Sequence, residues 1–284
     1  MNATFSPSLT PIPTSGRFLI CRGDPCGRHT NKRGRPQGSP QQKTAVYHGV
    51  GVSVGVCKSA LILLLLIFSR FLVLAQSPEE VIDFNRIPQK AIRDLVRKEN
   101  VKTATDFQHI ATSCYRAEDS SGYQTNLKTY VVKARINKVW EKYINITPGK
   151  AWNGHTVKFG FLFSKPNNQF IYAENANEPI RVGNIIYVNL RLLRGLKNLG
   201  VGFEITRLDE QNKTICFCYL QDGVSNGSQE IRFTELANGD TRISHLTHYK
   251  SHSQFRDKEL YPIFHSKFVG EFHENILSQI ERGS

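Results

Sequence analysis

Residues 256–283 read RDKELYPIFHSKFVGEFHENILSQIERG, and the spacing of their apolar side chains decides the architecture. Phe264, Phe268, Phe272, Ile276 and Ile280 recur every four positions, with Leu260, Ile263 and Val269 widening the stripe. From Asp257 onward this predicts one amphipathic helix of about six turns with an aromatic face. The chain ahead of it follows a different pattern. HTVKFGFLFS, NQFIYAE, NIIYVNLRLL, GVGFEITRLD, KTICFCYLQ, SQEIRFTEL and TRISHLTHY are strand-like runs, separated by KPNN, NEPIRVG, DEQN, DGVSNG and ANGD. The Gly, Asn, Asp and Pro of those separators suit tight turns, so consecutive strands with no helix between them predict an antiparallel meander. A sheet that is apolar on one face must bury that face, and the C-terminal helix is the only element long enough to cover it.

Working further upstream, LKTYVVKARI (127–136) alternates as a strand, and NKVWEKYIN places Val139, Trp140, Tyr143 and Ile144 on a helical stripe. Ser77, Pro78 and Glu80 combine an N-cap, a first-turn proline and a capping acid, which predicts a helix ended or kinked by Pro88. Ala91, Ile92, Leu95 and Val96 then line a second short helix. The fold class is α+β.

The first part of the chain is of another kind. Residues 1–75 carry nine Lys and Arg against one acid, Asp24, and so hold +8 of the formal +13. Residues 1–57 are rich in Pro, Gly, Ser and Thr without periodicity, a composition that cannot bury a core and predicts a disordered basic extension. Met1 is the only methionine, and a natural start near Val46 to Val56, with the earlier residues an over-extension of the reading frame, is an expectation. KRGRP (32–36) matches an AT-hook core once, ahead of an export signal, and no nucleic-acid partner is expected from it. Lys58, the apolar run Ala60–Phe68, and Val73-Leu74-Ala75 before Gln76 have the order of a signal peptide over 58–75. Cleavage near Ala75 and a secreted or periplasmic product are expected; the alternative is a membrane anchor over 59–75, which would place Arg70 inside the hydrocarbon. The mature chain then has short helices and a linker over 76–125 and its main domain over 126–284.

Three cysteines, Cys114, Cys216 and Cys218, follow the signal. With no CxxC pair and an odd count, they read as small buried apolar residues rather than a disulfide framework or a zinc site. GVSNG (223–227) matches a nucleophile elbow around Ser225, but it joins two strands and contains the hairpin dipeptide Asn226-Gly227. No HExxH, phosphate-binding loop or dinucleotide fingerprint occurs, and no cofactor and no metal are expected. His245, His248, His252, His265 and His273 cluster late in the chain and read as surface polar residues.

YVVKARINKVWEKYIN (130–145), with its Val139-Trp140 pair on the first helix, resembles the opening of the START-like superfamily, also called the polyketide-cyclase or SRPBCC superfamily. LGVGFEITRL, NGSQEIRFTEL and a Tyr-Pro before the final helix resemble uncharacterised bacterial members, over residues 126–281. The resemblance implies a helix-grip fold of about seven or eight strands wrapped around the last helix. It also implies a pocket between them for a lipid, a sterol or an aromatic small molecule. The residues expected to line that pocket are Phe159, Phe161 and Phe163 on the first meander strand and Phe217, Tyr219, Phe233, His245 and Thr247 on later ones. Phe264, Phe268 and Phe272 on the helix complete the set.

Three functions from different classes are open at this level. The first is binding of a small apolar ligand without chemistry. The second is a cyclase- or hydrolase-like enzyme in the same pocket with His245, Glu204 or Glu230 as general base. The third is a pocketless envelope protein whose Arg191, Arg194 and Lys197 meet acidic partners or a membrane surface. Oligomeric state is not legible.

Overall fold

The computed structural model describes residues 79–281. The basic extension, the apolar run and the cleavage position lie outside them. No helix among the described residues is long and apolar enough to cross a membrane.

One eight-stranded antiparallel sheet organises the chain: β1 (Gln124–Val132), β2 (Val157–Ser164), β3 (Gln169–Tyr172), β4 (Asn184–Leu192), β5 (Lys197–Asp209), β6 (Thr214–Tyr219), β7 (Asn226–Glu235) and β8 (Thr241–Lys250). Their spatial order is β1-β8-β7-β6-β5-β4-β2-β3. The expected meander therefore holds from β4 to β8 and breaks before it. β4 returns to pair with β2, leaving the short β3 as one edge, and β1 closes the other edge against β8. Bulges at Phe159/Phe161 in β2 and at Ile205/Arg207 in β5 bend the sheet, since an extra residue on one strand raises local twist.

The concave face is covered by α3 (Ile136–Asn145) and α4 (Pro148–Ala151), which follow β1, and by the long α5 (Tyr261–Glu281). α1 (Lys90–Glu99) and α2 (Ala104–Gln108) lie on the opposite face. Val139, Trp140 and Tyr143 of α3 are buried, and Phe233 of β7 meets both Trp140 and Tyr143 edge-on. α5 is preceded by one π-helical turn, Arg256–Leu260, and helical structure begins at Gln254, three residues ahead of where the spacing places it. That turn is wider than an α-turn, and the most buried stripe of the helix is Tyr261, His265, Val269, His273, Ile276 and Ile280, with Phe272 beside it. Phe264 and Phe268 fall on its margin, half-buried. The result is an α+β helix-grip fold.

The convex face carries a second apolar core. Ile92 and Val96 of α1 and Phe107 of α2, together with Ile82 and Ile87, pack on Phe161, Phe163, Phe170, Tyr172, Ile185 and Tyr187. The helix expected to start at Ser77 is absent from Glu79 onward. Val81 instead bridges to Thr103, and Ile82 N–H and Ala104 N–H pair with the carbonyls of Lys102 and Glu80. A single 3₁₀ turn, Phe84–Arg86, is all the helix that remains there. Thr103 and Asp106 form a capping box that starts α2.

Cys114 and Cys218 form a disulfide, which corrects the reading of all three cysteines as unbridged. Cys216 is buried outside the bridge, and its Sγ accepts from the Arg207 guanidinium at 3.2 Å. The bridge fastens the N-terminal layer to β6 across 104 residues of sequence.

Candidate functional site

A cavity of about 280 Å³ lies between the open end of the sheet and the start of α5. Leu190 and Leu192 of β4 and Leu199 and Val201 of β5 form its sheet wall. These positions share one face because side chains two apart on a strand point the same way. Opposite them stand Tyr261, Phe264, His265 and Phe268, brought onto one helix face by their three- and four-residue spacing. Tyr219 closes the inner end, with Ser225 and Arg256 beside it and Lys197 at the strand end.

Behind this wall runs a buried hydrogen-bonded chain. Gln229 Nε2 donates to the Tyr219 hydroxyl at 2.8 Å, which leaves Gln229 Oε1 as an acceptor. Nε2–H of His245, at 2.8 Å, and of His265, at 3.2 Å, then both donate to that oxygen. His245 Nδ1 in turn accepts from His273 Nε2–H at 2.9 Å, and His273 Nδ1 accepts from the Tyr143 hydroxyl at 2.6 Å. One amide orientation thus sets three neutral imidazole tautomers, because each ring has one donor and one acceptor nitrogen. Burial is the main reason the rings stay neutral: it pushes His265 and His273 down to about 3 and His245 well below the usual range. Burial likewise pushes the Tyr219 hydroxyl up to about 12 and Tyr143 and Tyr261 well above the phenol range. Tyr219 and Tyr261 hydroxyls meet at 2.5 Å, joining the chain to the cavity wall.

His265 ends the chain with an uncommitted lone pair. Its Nδ1 is buried without a hydrogen-bond partner, whereas its Nε2 is shared between Gln229 and, at 3.4 Å, Thr247. The ring is stacked on Tyr261 with centroids 4.8 Å apart, and Tyr261 is stacked on Tyr249 at 3.6 Å. Arg256 lies over the Tyr261 ring, and its guanidinium donates to the Val224 carbonyl and to Ser225 Oγ.

Of the residues expected around a pocket, Tyr219, Phe264 and Phe268 line the cavity. His245 and Thr247 stand one layer behind it, in the hydrogen-bonded chain. Phe159, Phe217, Phe233 and Phe272 are packed in the concave core, Phe272 against Trp152 and Phe217 against Phe203. Phe161 and Phe163 are on the other face altogether, beneath α1 and α2. The bulge at Gly160 reverses the alternation after Phe159, so the three phenylalanines do not share a side.

Other expectations also change. Glu204 pairs with Lys165 at 2.8 Å, and Glu230 with Arg207 at 3.4 Å and Arg232 at 2.8 Å, so neither carboxylate is among the cavity-lining residues. His245, His265 and His273 are 2 %, 8 % and 0 % exposed, which corrects their reading as surface residues. The four-residue step from Tyr261 to His265 and the matching parity of Gln229, His245 and Thr247 on two paired strands were the available signals. Ser225 sits in a strand-to-strand connection rather than a nucleophile elbow, with its hydroxyl held by Arg256.

No protein-family model matches the chain, and no curated protein does. Among solved structures it is similar to protein Ms6760 from Mycobacterium smegmatis, with 16 % identity, 56 % of this chain and 92 % of that one covered, and a TM-score of 0.40. An aromatase/cyclase from a Streptomyces species gives 12 % identity, 56 % and 94 % coverage, and 0.42. Norcoclaurine synthase from Thalictrum flavum, in complex with dopamine and hydroxybenzaldehyde, gives 12 %, 60 % and 94 %, and 0.41. These likenesses say nothing of ligand or reaction for this chain.

Proposed function

We propose that the protein is exported and binds a small, largely apolar molecule between the sheet and the C-terminal helix without altering it chemically. The observation that carries this reading is the cavity itself: about 280 Å³, walled by leucines, two valines and two phenylalanines, with a few polar groups among them. Small-molecule sites are built in this way, and the volume falls at the lower edge of their usual range of roughly 300–1,000 Å³. A single aromatic body or one short alkyl chain fits that space; a two-chain lipid does not.

Binding is favoured over turnover by the character of the polar groups. An imidazole held near 3, as in His265, is a weak proton acceptor at neutral pH, whereas a general base works best with a pKa close to the operating pH. The two carboxylates considered as bases are paired with cations away from the cavity. Export is supported by the signal-like run at 58–75 and by the Cys114–Cys218 disulfide, a bond that persists in oxidising compartments.

Val201→Trp places a large ring on the cavity wall. Titration with 1-anilinonaphthalene-8-sulfonate, followed by fluorescence, is expected to show binding to the native chain and at least about tenfold weaker binding to the variant. Equal binding by the two would overturn the reading.

A further inference from the structure

We infer that the ligand of this cavity carries a single anionic head of the carboxylate class, seated against Arg256. The inference rests on the cavity being a binding site and names the chemistry it selects. Two cations, Arg256 and Lys197, line the cavity and no acidic side chain does. Arg256 is half-buried, and among the described residues no carboxylate lies within ion-pair distance of its guanidinium.

Two acids of the same helical segment are committed elsewhere, and no ion pair joins the exposed Glu259 to Arg256. Asp257, next in sequence, is 4 % exposed and accepts from Ser251 N–H at 2.6 Å and Ser251 Oγ at 2.7 Å. Glu271, nearly three turns along α5, accepts from Thr156 and Val157 and so anchors the start of β2. The two partners that Arg256 does have, the Val224 carbonyl and Ser225 Oγ, are neutral. They fix the direction of the guanidinium without cancelling its charge.

A cation withdrawn from water and left without a counter-charge is costly, and a ligand anion removes that cost. The guanidinium has five donors in a planar fork and two partners here, which leaves edges free for a carboxylate. On the far side of Phe264 and Phe268, a second cleft is lined by His155, Arg191, Arg194 and Lys267, so the field around the mouth is positive as well. An apolar body against the leucines with an acid head at Arg256 satisfies both ends.

The test compares acid and alcohol of the same skeleton: decanoate with decanol, and naphthalene-1-acetate with naphthalene-1-ethanol, by isothermal titration on the full chain. In the native protein the acid of at least one pair should bind roughly ten- to a hundredfold more tightly than its alcohol. Arg256→Gln should abolish that preference, weakening the acid about ten- to a hundredfold and the alcohol by clearly less, and a native-like far-UV circular dichroism spectrum shows that the variant is folded. Arg256→Lys keeps the charge and should retain part of the preference, and it decides the matter if the glutamine variant does not fold. An alcohol that binds as well as its acid in the native protein, or a preference that survives Arg256→Gln, overturns the inference and leaves the cavity as a neutral-ligand site. If no member of either pair binds and Val201→Trp changes nothing, the cavity reading itself is wrong.

Discussion

Acidification should loosen this fold through its buried histidines. His265 and His273 titrate near 3 in the folded chain and near the ordinary value of about 6.5 once exposed. Between those limits the unfolded state holds one more proton at each site, so stability is fully present above pH 6.5 and falls as pH drops toward 3. Each group contributes about 1.4 kcal/mol per pH unit, so at pH 5.0 the two together remove about 4 kcal/mol. His245, lowered by burial and by its two histidine neighbours, acts with the same sign, as does the half-buried His248. One group opposes them. Burial raises the Glu99 carboxyl to about 7, so the folded state holds its proton more firmly and acidification to pH 5.0 restores about 3 kcal/mol. Glu99→Gln removes that term and keeps an acceptor for the Tyr187 hydroxyl. In this background, urea unfolding followed by tryptophan fluorescence should show a loss of about 4 kcal/mol or more between pH 7.5 and 5.0. That is a large share of the roughly 5–15 kcal/mol typical of a domain. Equal stability at the two pH values, or an imidazole C2 proton of His245, His265 or His273 titrating near 6.5, would refute the buried neutral chain.

Two further perturbations probe the frame. Cys114→Ser opens the disulfide and should cost roughly 2–5 kcal/mol in urea unfolding, whereas Cys216→Ser leaves the bridge intact and should cost clearly less; equal costs would mean that the bridge contributes nothing. Gly227 has φ +126°, and a β-carbon there would lie 1.9 Å from the His248 carbonyl oxygen, so Gly227→Ala should destabilise by more than about 2 kcal/mol; a neutral result would contradict the β7–β8 register.

The sequence carried the architecture where period and burial agree. α3 and α5 announce themselves through Val139, Trp140 and Tyr143 and through the apolar positions that close the chain, and both helices end up on the concave face. Local irregularities hid the rest. The bulge after Phe159 sends Phe161 and Phe163 to the convex core, and no alternation pattern reports a bulge in advance. The π-helical turn before Tyr261 goes with a buried stripe of Tyr261, His265, Val269 and His273, so two histidines occupy positions that phenylalanines were expected to hold. Polar residues at such positions read as surface until their partners are known, and Gln229 and His245 come from strands far away in sequence. The disulfide was hidden for the same reason: Cys114 and Cys218 stand 104 positions apart and meet only once the chain between them has folded. Of the cavity, Leu190 and Leu192 of β4 follow the alternation of NIIYVNLRLL, and Leu199 and Val201 of β5 that of LGVGFEITRL, whereas Arg256 falls in a segment that reads simply as a helix start.

Native mass spectrometry tests the central claim most directly. The full chain, incubated with a small-molecule extract of the expressing cells and desalted, would be sprayed under native and then denaturing conditions, beside Val201→Trp. A single adduct that is lost on denaturation and missing from the variant is the predicted result. The bare mass under both conditions, or an adduct that Val201→Trp retains, would contradict a ligand held between the sheet and α5.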